Sequence, residues 1–455
     1  MLPGENDTWF LPLGGTGEIG MNLNLYGHNG QWLMIDCGIT FSQSSRSSPY
    51  IQMANPKFIV EHRDSLISLI ITHAHEDHIG AVPYLWKKFK CPIYTTAFTG
   101  EILRRKLAEV GLLSEVPINI VEPQTKLKIG VFQVEWIGLT HSTPETQALL
   151  IQTPKANIFH TADWKLDPNP VVGPTYPKER LKNLSNQKIT AMVCDSTNAM
   201  EEGSSISEGE LGLGLLELVE NAPGKVVISC FGSNIARLHT IASVAKKAGR
   251  YACLLGRSLK NSYSAAKAAG IWSNELNFVD SRDIDYISPK EILAVATGSQ
   301  GEPRAALDRL ARGAHPDLSL TAGDTVIFSS RIIPGNEQSV ENLTRRLQRT
   351  GIKIFEDNNL NRPIHASGHA PAKELKTLYH WVQPKVAIPV HGEPQHLKAN
   401  ASLAKEAGVP HQLVGLNGDL YTLTPNISVK RGAVLAGRLG LGKNSLVTVK
   451  QGAEV

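Results

Sequence analysis

Short apolar runs that end on a polar, chemically capable residue recur along this chain, and they constrain its fold more than any other feature. The runs are "WLMIDCG" at Asp36, "LIITHAHEDH" at His73, "NIFHTADW" at Asp163, "AMVCDSTN" at Asp195, "KVVISCFGSN" at Ser233, "TVIFSSRIIPGN", and "KVAIPVHGE" at His391. Each is short and apolar, as a buried strand is, and is followed by turn-forming residues. Helix-like runs separate them, which is the element order of an α/β fold. In layered α/β proteins ligands collect at one end of the strands. Strand ends from distant parts of the chain are therefore expected to build one cleft.

The segment "IITHAHEDHIG" gives that cleft its chemistry, with His73, His75, Asp77 and His78 inside six residues. The apolar "SLISLIIT" before it reads as a strand, and "IGAVPYLWKKF" after it as the start of a helix. Alternation at the strand end puts His73 and His75 on one side, and the turn brings Asp77 and His78 round. Imidazole and carboxylate donors of this kind suit zinc, and manganese accepts the same mixture. One loop cannot complete such a site. His141 in "GLTHSTPET", Asp163 in "FHTADWK" and His391 in "IPVHGE" each follow a strand-like run. Counting donors gives two ions. His73, His75 and His141 would hold one, Asp77, His78 and His391 the other, and Asp163 would bridge them. Such a pair activates water and stabilises the attacking and leaving oxygens of a phosphodiester. His160 is open between a supporting role and a packed strand residue.

"GTGEIG" at Gly15–Gly20 matches a dinucleotide-binding pattern, which requires a helix next. The following "MNLNLYGHNGQWLMIDCG" alternates, pauses at "HNG" and alternates again. That is a β-hairpin, so the glycines are expected to make a tight turn. With 455 residues, 42% of them hydrophobic and 19% charged, the chain has the composition of a globular protein of two or three domains. A net charge of +4 permits an anionic ligand without identifying one. Cys37, Cys91, Cys194, Cys230 and Cys253 are scattered and form no C-x-x-C pair, which fits a reducing cytosol. The N-terminus has no basic start followed by an apolar core, and no run approaches the roughly 20 residues that span a bilayer. A soluble, cytoplasmic protein is expected. Polar "EEGSSISEGE" and "EDNNLNRPIHASGHA" bracket a middle block with its own strand and helix alternation, and residues 420–455 read as short strands and turns.

"THAHEDHIGA" with His141, Asp163 and His391 resembles the metallo-β-lactamase fold. "CDSTNA", "SGHA" and "PVHGE" resemble the extra motifs of the β-CASP nucleases. "LGGTGEIGMN", "IDCGITF", "GSQGEP", "IPGNE" and "HASGHAPAKELK" are similar to bacterial ribonuclease J. The resemblance runs from about residue 10 to about residue 420. It implies an αββα sandwich with an inserted α/β β-CASP domain, placed here as 1–204, 205–360 and 361–455. It also implies hydrolysis of single-stranded RNA from a 5′-monophosphate end, with some endonuclease activity, in RNA processing and decay. The implied ligand set is the one assembled above, and the implied catalytic residues are Asp77, Asp195 and His369. His369 would protonate the leaving oxygen or stabilise its charge, and Asp195 would orient a metal-ligand histidine. Ser233 and Asn234 at a helix start, with His365 and Ser367, would bind phosphate. Ala162 stands where a glycine is usual before the bridging aspartate, and Glu145 where an aspartate is common. The usual C-terminal domain of the family is expected to be missing, which leaves homodimer formation open. The rival readings are a hydrolase of DNA or a small ester, and a catalytically inactive nucleic-acid-binding protein.

Overall fold

The computed structural model describes residues 1–42, 49–333, 335–357, 360–443 and 445–449. Pro334 of "IPGNE", Asn358 and Asn359 of "EDNNLNRP", and 450–455 lie outside them. Among the described residues the strands form four sheets. An eight-stranded sheet runs in the order Ser428–Lys430, Leu420–Thr424, β1 (Thr8–Gly14), β2 (Leu23–His28), β3 (Gln31–Ile35), Leu66–Ile70, Ile93–Thr95 and Ile118–Ile120. A seven-stranded sheet runs in the order His411–Gln412, Val386–Val390, Ala191–Asp195, Asn157–His160, Gln147–Gln152, Phe132–Gly138 and Lys126–Ile129.

These two sheets face each other. Phe10, Tyr26, Leu33 and Ile35 of the first pack with Phe132, Val134, Trp136 and Ile388 of the second. Alternation sends the intervening residues outward. Trp32 and Met34 of β3 meet helices Lys57–Glu61, Val82–Phe89 and Ala97–Glu109. Ile137 on the other sheet meets helices Lys178–Lys182, Ala372–Val382 and Pro394–Glu406. Strands covered on both faces need apolar residues at nearly every position, which is why the runs read as continuous. The result is a helix–sheet–sheet–helix sandwich.

β2 and β3 form the expected hairpin, with Asn29 and Gly30 in the left-handed region at φ 43° and 75°. That is the geometry of a two-residue turn suited to Asn-Gly. No helix follows the "GTGEIG" turn.

Strands Ala191–Asp195 and Val386–Val390 are parallel neighbours. Between them the chain leaves the sandwich and builds a parallel sheet in the order Tyr251–Leu255, Ile292–Ala296, Val226–Ser229, Thr325–Phe328 and Lys353–Phe355. Helices Leu211–Glu220, Ile235–Lys247 and Arg257–Ala268 cover one face, and Ala306–Ala311 with Glu337–Arg349 the other. The first of these cores also contains Ala74 and Phe98 of the sandwich. A buried polar chain joins the two bodies. Asp167 binds Lys165 Nζ at 3.1 Å and accepts from Glu208 N at 2.9 Å. Glu208 holds Arg237 Nε at 2.6 Å, and Arg237 donates to Ser329 Oγ at 2.7 Å. Residues 420–449 supply strands Leu420–Thr424, Ser428–Lys430, Arg438–Leu441 and Leu446–Val449. All five cysteines are free and buried.

Candidate metal centre and its relatives

The expected ligands do converge. His73 and His75 lie in the loop after Leu66–Ile70, and Asp77 and His78 open the short helix Glu76–Ile79. His141, Asp163 and His391 follow strands Phe132–Gly138, Asn157–His160 and Val386–Val390. Ligand-type atoms of His73, His75, His141 and Asp163 lie within 4.8 Å of one another, and so do those of Asp77, His78, Asp163 and His391. Asp163 is common to both groups. Its Oδ2 stands 3.8 Å from His73 Nε2, 3.2 Å from His78 Nε2, 3.8 Å from His141 Nε2 and 3.5 Å from His391 Nε2. Asp77 Oδ2 is 3.5 Å from both His78 Nε2 and His391 Nε2.

The other nitrogen of these rings is held by the surrounding protein. His78 Nδ1 pairs with Asp36 Oδ2 at 2.7 Å, and Asp36 accepts from Thr72 N and Thr72 Oγ1 at 2.8 and 2.9 Å. Thr72 Oγ1 also lies 3.0 Å from His73 Nδ1. His141 Nδ1 donates to the Gly368 carbonyl at 2.6 Å, and His391 Nδ1 to Asn22 Oδ1 at 3.0 Å. The Nε2 atoms of His73, His78, His141 and His391 are thereby turned toward Asp163. His75 presents Nδ1 instead, 3.0 Å from His141 Nε2. Buried His73 Nε2 and Asp163 Oδ1 find no protein hydrogen-bond partner. Burial of unpaired polar atoms is costly, and a divalent cation at the meeting point would satisfy His73 Nε2. The donor set therefore fits such ions.

Electrostatics agree with that fit at His73, His75 and His141, whereas at His78 burial is outweighed by the Asp163, Asp77 and Asp36 carboxylates, which raise its pKa well above the usual histidine range. Burial, reinforced by neighbouring rings, holds His73 and His141 well below the usual histidine range and His75 down to about 4. Neutral imidazole is the form that binds a metal. Burial works against the Asp163 and Asp77 carboxylates, but the adjacent His78 and His391 outweigh it and keep both low. Burial also holds His160 down to about 4, and its Nδ1 lies 2.9 Å from the Tyr26 hydroxyl. Four non-glycine residues at the site, Asp36, Glu145, Ala162 and His391, sit at φ 63°, 57°, 52° and 53°. Left-handed backbone of this kind gathers where a site over-determines its geometry.

His369 and Asp195 lie beside this cluster. His369 Nδ1 is 2.8 Å from Asp195 Oδ2, and its ring stacks 5.8 Å from that of His391. Burial lowers its basicity, but the Asp195 carboxylate more than offsets this and raises its pKa to about 9. Asp195 thus bonds His369 directly, and ligand-type atoms of Asp163, Asp195, His369 and His391 lie within 4.8 Å of one another. The other oxygen of Asp195 accepts from Thr197 N at 2.8 Å in a local turn. The ligand rings are instead steadied by Asp36, Thr72, Asn22 and the Gly368 carbonyl.

The phosphate-binding candidates are only partly gathered. Asn234, rather than Ser233, caps helix Ile235–Lys247 by accepting from Arg237 N at 2.8 Å. Ser233 is half-buried beside it, and among the described residues no hydrogen bond joins its side chain to the 365–367 segment. Ser367 Oγ accepts from Asn198 Nδ2 at 2.9 Å. His365 has a buried, unpartnered Nδ1, and burial with the Arg237 and Arg331 cations pushes its pKa to about 3.

Residues 20–175 match the metallo-beta-lactamase superfamily, 223–347 the ribonuclease J beta-CASP domain, and 361–414 the Zn-dependent metallo-hydrolase RNA specificity domain. The chain is 40% identical over 425 residues to the ribonuclease J of Sinorhizobium meliloti, which covers 92% of this chain and 75% of that one. The chain belongs to the ribonuclease J family. The ribonuclease J of Mycolicibacterium smegmatis is 36% identical over 431 residues, covering 94% of this chain and 76% of that one. Ribonuclease J 1 of Streptococcus pyogenes is 35% identical over 422 residues, with coverage of 92% and 75%. A crystal structure of a protein of unknown function from Enterococcus faecalis shares the fold, with TM-score 0.63 and 16% identity over 91% of this chain and 100% of that one. As a member of this family the chain is a metallo-β-lactamase-fold nuclease with a β-CASP domain, and its matched families support binding of RNA and metal. Among its described residues no helix is long and apolar enough to cross a membrane.

The two departures from the family pattern noted in sequence have local explanations. Ala162 holds a backbone conformation that glycine adopts without strain. Glu145 reaches the N-terminus of helix Ala97–Glu109, where Oε2 accepts from Phe98 N at 2.8 Å.

Proposed function

We propose that this chain is a two-metal ribonuclease that removes nucleotides from RNA with a 5′-monophosphate end, with some endonuclease activity. The observation that carries the reading is the sharing of Asp163 between two donor groups with His369, held by Asp195, alongside. His73, His75 and His141 would hold one ion, Asp77, His78 and His391 the other, and Asp163 would bridge. The imidazole-rich set favours zinc, with manganese as the alternative. When bound, the ions supply Lewis acidity that makes water nucleophilic at neutral pH and offsets charge on the phosphate.

The protein's own groups do the rest. Asp36, Thr72, Asn22 and Gly368 fix the rings, so little reorganises during reaction. Asp195 holds His369 at Nδ1 and favours its protonated form, leaving Nε2–H to protonate the departing ribose oxygen. Asp77 and Asp163 stay ionised. The insert, with proposed limits at 205 and 360, would cover the cleft, which suits a polymer. Asn234 orders the start of helix Ile235–Lys247, whose free N–H groups favour an anion. Ser233 and Ser367 would add hydroxyl donors, and neutral His365 an N–H donor. A pocket fitted to one phosphate rejects a triphosphate and loses donors' partners with a 5′-hydroxyl.

The test is purified protein with end-labelled RNA carrying a 5′-monophosphate, 5′-hydroxyl or 5′-triphosphate, with and without chelator. Mononucleotides should appear fastest from the monophosphate, then the hydroxyl, then the triphosphate, and chelator should abolish release. Equal rates on all three ends, with internal fragments only, would show an endonuclease without a 5′-end pocket.

A further inference from the structure

The segment "MNLNLYGH" alternates in an unusual sense. Leu23 and Leu25 point to the outer helical layer, while Asn22, Asn24 and Tyr26 share the other face, between the two sheets. All three are buried, at 3%, 3% and 0% exposure. Asn22 is already accounted for by its bond to His391. Asn24 and Tyr26 are not, and neither is His160.

A cavity of about 10 Å³ borders the ligand cluster, with His78, Asp163 and His391 on one side and Asn24, Asp36 and His160 on the other. This is at the lower limit for one water molecule, about 10–15 Å³. Two acceptors among its lining residues, Asn24 Oδ1 and Asp163 Oδ1, have no protein partner. His160 joins them by an indirect route. A buried phenol keeps its proton and needs an acceptor, and Nδ1 of the neutral His160 stands 2.9 Å from the Tyr26 oxygen. Tyr26 therefore donates to Nδ1, which leaves the His160 proton on Nε2.

We infer that Tyr26, His160 and Asn24 hold one internal water that fixes the free oxygen of Asp163 from behind. The water accepts from His160 Nε2–H and donates to Asn24 Oδ1 and Asp163 Oδ1. Its three hydrogen bonds match both orphaned acceptors and the His160 Nε2–H donor, the usual valence of a buried water. These are positioning residues. They leave Oδ2 as the oxygen shared by the two ligand groups, and they stop the carboxylate rotating. The inference rests on the reading of Asp163 as the bridging ligand.

The experiment is metal titration against a competing chelator, using folded full-length protein. Tyr26→Phe should weaken metal binding about ten- to a hundredfold, the usual effect of removing an outer partner of a ligand. His160→Gln keeps a donor near the Nε2 position and should stay near wild type, whereas His160→Asn should fall with Tyr26→Phe. Long-range nitrogen–proton NMR, with His160→Gln used for assignment, should find the wild-type His160 proton on Nε2. Asp163→Asn separates the two failures. If it binds metal as wild type does, the ligand reading is wrong. If it loses metal while Tyr26→Phe and His160→Asn bind within twofold of wild type, or if the His160 proton sits on Nδ1, the water-mediated support is overturned.

Discussion

His369 and His391 stack on one another yet are expected to behave differently when removed. His369 is held by Asp195, and His391 by Asn22 with its free nitrogen toward Asp77 and Asp163. His369→Ala should lower kcat by about 10²–10⁴ while metal content stays near two equivalents. His391→Ala should lose or weaken one equivalent. Elemental analysis alongside single-turnover kinetics decides it, and the reverse pattern would mean that the roles are exchanged. A second residue-scale prediction concerns Ala162, at φ 52°. Ala162→Gly relieves left-handed strain but frees the unfolded chain, so the net gain should be modest, up to about 1 kcal/mol. Chemical denaturation would show it as a higher midpoint at unchanged slope, and a lower midpoint would argue against strain there. The convergence of the candidate ligands was legible in the sequence because histidine and aspartate at strand ends are uncommon and chemically specific. Their supports were not. Asp36 was visible as a strand end without a role, Asn22 and Thr72 are ordinary polar residues until tertiary approach gives them a partner, and the Gly368 carbonyl has no side-chain signal at all.

The helix Ala97–Glu109 starts at Thr96, whose side chain makes no capping bond. Glu145, from a loop on the facing sheet, takes the place of a local cap through Phe98 N. Glu145→Ala should cost about 1 kcal/mol, in the range of lost helix caps, and should show in thermal unfolding. Glu145→Gln keeps an acceptor and should recover much of the loss, whereas equal losses would put the effect in packing. Among the elements, the strands and the Asn29–Gly30 turn could be read from alternation and turn chemistry. The start of helix Ile235–Lys247 at Ser233 and Asn234 could be read as well, but not which of the two caps it, because adjacent serine and asparagine carry nearly the same capping preference. Long-range caps such as Glu145 lie beyond any local pattern.

Across the whole molecule, Glu208 and Arg237 form a buried ion pair where the sandwich meets the inserted body. Glu208→Ala would strand a buried guanidinium and should cost about 3–5 kcal/mol. The double variant Glu208→Leu with Arg237→Met should recover most of that stability, as measured by denaturation. If the single variant is as stable as wild type, the pair does not anchor helix Ile235–Lys247 at the edge of the inserted body. The order in which the chain supplies the sandwich has a consequence for synthesis. Asp195 pairs with Val390, roughly 200 residues later, and β1 pairs with Leu420–Thr424 near the other end. A ribosome adding about 5–20 residues per second needs about 10–40 s to bridge the first gap. Until His391 emerges, the nascent chain carries an incomplete set of donors and an unclosed sheet. An RNA-cutting enzyme laid out in this order cannot finish its active site while most of its own message is still being translated.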